Sequence, residues 1–156
     1  MKKPKEKPYW PVPKPAVKIL KPSSKHGESS PQNIDFEVFG YRVGVVFSTH
    51  VPQTIKSYFN NYDDVSDTHA CHCPFKNEGR ALIFLPFDAK PGTIAHEAYH
   101  AIRRMFEYED IGDRNRFDNE TVAYHLDFLV RRILKCQCEA QKQRRLWRDK
   151  HERNNG

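Results

Sequence analysis

Between Ile34 and Phe47 apolar side chains recur at nearly every second position: Ile34, Phe36 and Val38, then Tyr41, Val43, Val45 and Phe47, with Gly40 between the two runs. A period of two marks a strand with one buried face, and a glycine inside it supplies a turn or bulge. The stretch predicts one long bent strand or two short ones. Pro52 opens a short helical pattern with Ile55, Tyr58 and Phe59 on one side, ending near Asn60 and Asn61. After an Asp-rich turn, Thr68 to Pro74 and the run Ala81 to Leu85 flank Asn77-Glu78-Gly79 and predict a hairpin, its second strand buried and stopped by Pro86.

From Thr93, placed to cap a helix, the period changes to that of a helix. At 100 degrees per residue Ile94, Ala98, Ala101, Ile102, Met105 and Phe106 gather on one side. A polar break around Gly112 follows, from Asp110 to Arg116. Asp118 or Asn119 then caps a second long helix, with Val122, Leu126, Leu129, Val130 and Ile133 in one stripe and Glu120, Tyr124 and Asp127 on another side. Strands followed by helices predict an α+β class: a short, mostly antiparallel or mixed sheet packed on one helix and a following long helix.

Composition changes the picture at the ends. Residues 1–32 hold seven of the eleven prolines, many lysines and little periodic hydrophobicity, so they are expected to be a disordered basic arm. Residues 33–138 form the folded domain, and 139–156 a basic helical extension or tail around Trp147. The net charge of +6 sits largely in these two ends. Lys2, Lys3, Lys5 and Lys7 beside Tyr9 and Trp10, and Arg144, Arg145, Arg148 and Lys150 beside Trp147, have the chemistry to neutralise phosphates and stack on bases, so nucleic acid is one candidate partner. No apolar run reaches the roughly 20 residues that span a bilayer, and the basic start is followed by prolines, not by a signal-peptide apolar region. The expectation is a cytoplasmic protein with no membrane contact.

The chemistry lies on the predicted helix. His96-Glu97-Ala98-Tyr99-His100 spells H-E-x-x-H, in which two histidines four apart reach one zinc ion and the glutamate serves as general base. With 8 histidines in 156 residues, chance supplies the pattern roughly once in 40 chains, so its setting has to decide. The three residues fall on the side of the helix opposite the apolar stripe, which offers them to a cleft. A metzincin continuation would need Gly at 103 and His at 106, where this chain has Arg103 and Phe106. Glu120, at the start of the next helix, is then the candidate third ligand, with His125 as substitute. The four cysteines, Cys71/Cys73 and Cys136/Cys138, have C-x-C spacing and are expected to be reduced thiols; on an extended segment His69, Cys71 and Cys73 would share one face with His72 opposite.

These motifs resemble the gluzincins, thermolysin-like zinc peptidases in which H-E-x-x-H is completed by a glutamate on the next helix. His96-Glu97-Ala98-Tyr99-His100-Ala101 resembles their H-E-x-x-H-A, and Asn119-Glu120 their N-E, over about residues 80–135. The chain looks like a minimal gluzincin core, similar to small metallopeptidases of phages and bacteria. The resemblance implies a zincin-like domain and a zinc-dependent peptidase acting on peptide or protein substrates. In it His96, His100 and Glu120 hold Zn2+, Glu97 relays the proton, and the strand Arg80 to Leu85 is the edge that pairs with substrate. Where that family has an acid four residues after the third ligand, this chain has Tyr124. Tyr124, His125 and His72 are candidates for the oxyanion donor, Tyr124 and His125 also for orienting a ligand. The alternative is a nucleic-acid- or partner-binding protein with a zinc-stabilised, non-catalytic domain.

Overall fold

The computed structural model describes residues 29, 31–59, 68–75, 78–109 and 119–154. Residues 1–28 of the expected basic arm, the acidic turn near Asp63, the polar break at 110–116 and the Asp118 cap lie outside these residues. The end of the arm is ordered, contrary to expectation: the Ser29 N–H bonds the Phe47 carbonyl at 2.8 Å and Gln32 begins the first strand. The alternating stretch becomes two strands: β1, Gln32–Phe36, and β2, Tyr41–Ser48, joined by a single 3-10 turn, Glu37–Phe39. Gly40 ends that turn at φ 57, where its N–H bonds the Glu37 carbonyl, a left-handed conformation that costs a Cβ-bearing residue more. Val38 drops out of the alternation there and is 91% exposed.

Helix α1, Val51–Tyr58, follows with Pro52 in its first turn. The expected hairpin is present: β3, Cys71–Pro74, pairs antiparallel with β4, Arg80–Pro86. The sheet order is β1-β2-β4-β3, with β2 and β4 parallel and the other two pairings antiparallel. The protein is therefore α+β with a four-stranded mixed sheet. This order corrects one expectation: β4 is bonded on both sides and cannot receive a substrate strand, whereas β3 is the edge. Runs such as Ala81 to Leu85 are apolar because both faces are covered, which is the property of an interior strand.

Helix α2, Pro91–Tyr108, and helix α3, Asn119–Asn154, pack on one face of the sheet, and α1 packs on the other. Ile34, Val43, Val45, Phe47, Ala81, Ile83 and Leu85 meet Ile94, Ala98, Ile102 and Met105 from α2 and Leu129 and Ile133 from α3. On the opposite face Val46 and Phe84 meet Val51 and Ile55, with Cys73 buried beside them. Helix α2 starts two residues before the expected cap at Thr93: Lys90 is the N-cap, with Pro91 opening the helix. A proline at N1 sacrifices an N–H that has no helical partner in any case.

Helix α3 is continuous across the expected boundary at residue 138. Ala140 is buried, Gln137 donates to the Phe87 and Ala89 carbonyls at 3.1 and 2.9 Å, and the Arg144 guanidinium lies 4.7 Å over the Phe87 ring. Packing thus reaches Arg144, and the exposed Leu146 and Trp147 lie beyond it. Among the described residues no helix is long and apolar enough to cross a membrane.

Candidate metal centre

A helical spacing of four brings His96 and His100 together, with Nε2 atoms 3.2 Å apart and rings crossing at 83°. Two donors on tetrahedral bonds of 2.0–2.1 Å stand about 3.3 Å apart, so the pair already has the separation of two ligands of one ion. Both side chains are exposed. Among the described residues no third His, Cys, Asp or Glu joins them in a ligand group.

Glu97 departs from the expectation that it shares the exposed side of the helix. It is 7% exposed, because its direction falls between the histidines and Ala101, at the margin of the face that packs on the sheet. Burial raises the carboxyl's pKa above its ordinary value, partly offset by the charges of His96 and His100 and by the His72 backbone N–H that bonds it. The source of that N–H is the strand register. Phe75 turns its N–H to the Arg80 carbonyl, so alternate residues of β3, Cys71 and Cys73, also face β4, while His72 turns its main chain outward to α2.

The His72 side chain points to the same layer. It is opposite Ile83, whose side chain is in the core beneath α2, and its ring lies parallel to the His100 ring at 14° and 6.2 Å between centroids. Its Nε2 is buried with no hydrogen-bond partner. Burial first, then the nearby positive charges of His100 and Arg104, push its pKa down to about 4. Tyr41 on β2 is a second buried polar group near Arg104; its hydroxyl is also without a partner, and burial pushes its pKa up to about 12. The strand pattern assigns Tyr41 only to the core. The one available signal was Tyr41's hydroxyl at an otherwise aliphatic strand position.

The other candidates lie elsewhere. Phe106 packs against His125 and Gln137 reaches Phe87 and Ala89, so α3 runs antiparallel to α2. Counting residues from the Phe106–His125 contact at 1.5 Å each, Glu120 sits about 16 Å along the helices from His100, beyond the span of two ligands on one ion. The physical reason is that α2 continues for two turns after His100, to Tyr108, and carries the start of α3 away from the histidines. Glu120 is exposed in the first turn of α3, where an acid complements the helix dipole.

His125, the substitute ligand and candidate oxyanion donor, is packed among Phe36, Phe39 and Phe106, and its Nδ1 donates to the Thr121 carbonyl at 2.8 Å. Tyr124 is 72% exposed beside it. Cys71 and Cys73 stand on the α1 face with Sγ atoms 3.4 Å apart, on the side of the strand opposite His72 as the alternation required, while His69 is exposed. Cys136 and Cys138 are not in a disulfide.

The residues present fit a zinc ion in two respects: the His96–His100 spacing, and an orphaned imidazole nitrogen one ring away. The chain matches no family model, and neither curated proteins nor solved structures give a significant match.

Proposed function

We propose that the protein is a zinc-dependent metallopeptidase of zincin-like design, with His96 and His100 as ligands and Glu97 as general base. The observation that carries this reading is the 3.2 Å approach of the two Nε2 atoms beside a buried glutamate of raised pKa. Bound zinc supplies a Lewis acid that acidifies water and polarises the scissile carbonyl. Glu97 takes the proton from the attacking water and delivers it to the departing amine. Its burial matters because a carboxylate whose pKa is raised accepts a proton more readily near neutral pH.

Edge strand β3 supports the substrate side of the reading. The His72 N–H is taken by Glu97, so an extended peptide added at this edge would pair through the outer carbonyls and run past the histidines. Pro74, at the end of this edge, lacks an N–H and limits pairing to the part of the strand nearest the site.

The test is a broad peptide-cleavage screen with zinc-loaded wild type and Glu97→Gln. Cleavage by wild type should fall about 10²–10⁴-fold in the variant, the usual contribution of a general base. Cleavage retained by Glu97→Gln would overturn the catalytic assignment. Zinc binding without cleavage of any substrate would favour the alternative, a zinc-stabilised binding domain.

A further inference from the structure

The geometry points to His72, on edge strand β3, as the third protein ligand of the ion held by His96 and His100, giving a three-histidine centre. This rests on the zinc reading above and replaces Glu120 in it.

Two ring ligands of one tetrahedral ion have centroids about 5 Å apart, given bonds of 2.0–2.1 Å. His96 and His100 are at 4.7 Å and His72 and His100 at 6.2 Å, so His72 is about an ångström outside the coordinating arrangement. Its ring has to turn from the parallel stack about its side-chain bonds to present Nε2 to the ion. That nitrogen is buried and unpartnered, an unfavourable state that coordination removes. The backbone beneath it is fixed: the His72 N–H is tied to Glu97 on α2, and the flanking residues are paired with β4. Arg104, whose charge reaches His72, is turned to Glu107 at 3.0 Å. The arrangement leaves the fourth position of a tetrahedral ion for water, as in other three-histidine catalytic sites.

The experiment uses the full-length chain, stripped of metal and titrated with Zn2+ against a chromophoric chelator. Wild type, His72→Ala, Glu120→Ala and His72→Cys are compared, with Co2+ spectra of each and circular dichroism to follow folding. His72→Ala should weaken zinc binding about a hundredfold or more, since even groups that only orient a ligand are worth 10–100-fold. Glu120→Ala should stay within about threefold, as for a surface change of half a kcal/mol. His72→Cys should retain metal and add a thiolate-to-cobalt charge-transfer band that wild type lacks.

Zinc affinity of His72→Ala within threefold of wild type overturns the inference and leaves the zinc peptidase standing. If His72→Ala fails to fold, the cobalt band of His72→Cys decides, and its absence overturns the inference. A wild type that binds no zinc overturns both.

Discussion

The two long helices use their polar residues in opposite ways. Helix α2 turns Glu97 inward at the margin of its core face, where it meets the main chain of an edge strand. Helix α3 turns Glu120 and Tyr124 outward, and its one partly buried candidate, His125, is enclosed by phenylalanine rings. Both helices have a clear apolar stripe, so periodicity alone ranks their polar faces equally. The difference lies in what each face meets: α2 packs against β3 and β4, where Glu97 reaches main chain, whereas His125 on α3 meets the apolar rings of Phe36, Phe39 and Phe106. A chemically suggestive residue becomes a site only where a second element closes over it.

The largest effect separating the helices should come from packing. Ile133 is fully buried beneath the sheet, so Ile133→Ala should destabilise the fold by about 2–5 kcal/mol, while Leu146→Ala, in the exposed part of α3, should change it by less than about 0.5 kcal/mol. Urea denaturation measures both, and equal effects would show that α3 packs along its whole length.

An intermediate effect comes from His72. Its pKa is about 4 in the folded chain and 6.5 ordinarily, so below pH 6.5 the unfolded chain binds a proton that the folded chain refuses. Stability is unaffected by this group above pH 6.5 and is withdrawn as pH falls, by on the order of 2 kcal/mol at pH 5. Metal-free wild type should show this extra loss between pH 7 and 5, and metal-free His72→Gln should not. Glu97 works with the opposite sign: its raised pKa means that stability is withdrawn as pH rises above the ordinary carboxylate value of 4.5, so Glu97→Gln should remove that loss. Parallel profiles for wild type and His72→Gln would show that His72 is not buried as described.

The smallest effect should come from the residue expected as third ligand. Glu120→Ala should lower the unfolding free energy measured in urea by about 0.5 kcal/mol, the value of an acid in the first turn of a helix. A larger loss that appears only with zinc present would restore Glu120 as a ligand.

Much of the fold was legible because it is governed by local periods. Ile34 to Phe47, Ala81 to Leu85 and the stripe from Ile94 to Phe106 were assigned to the correct element types, since alternation and 100-degree spacing follow from backbone geometry. The sheet order is not legible: nothing local in Ala81 to Leu85 says that β2 pairs with it in parallel, so the sequence alone places this interior strand at the edge. Within the site, the His96–His100 pair follows from spacing alone. Glu97's burial, by contrast, depends on how close the strands come to the margin of α2, and His72's role depends on β3 register. The reading of Glu120 followed the separation along the chain, which takes no account of the two further turns of α2.

The most direct test of a zinc centre built on α2 is the metal content of the purified full-length chain after zinc loading and dialysis, beside His96→Ala and His100→Ala. The account predicts one zinc per chain in wild type and almost none in either variant. Wild type without zinc, or both variants retaining it, would contradict the account.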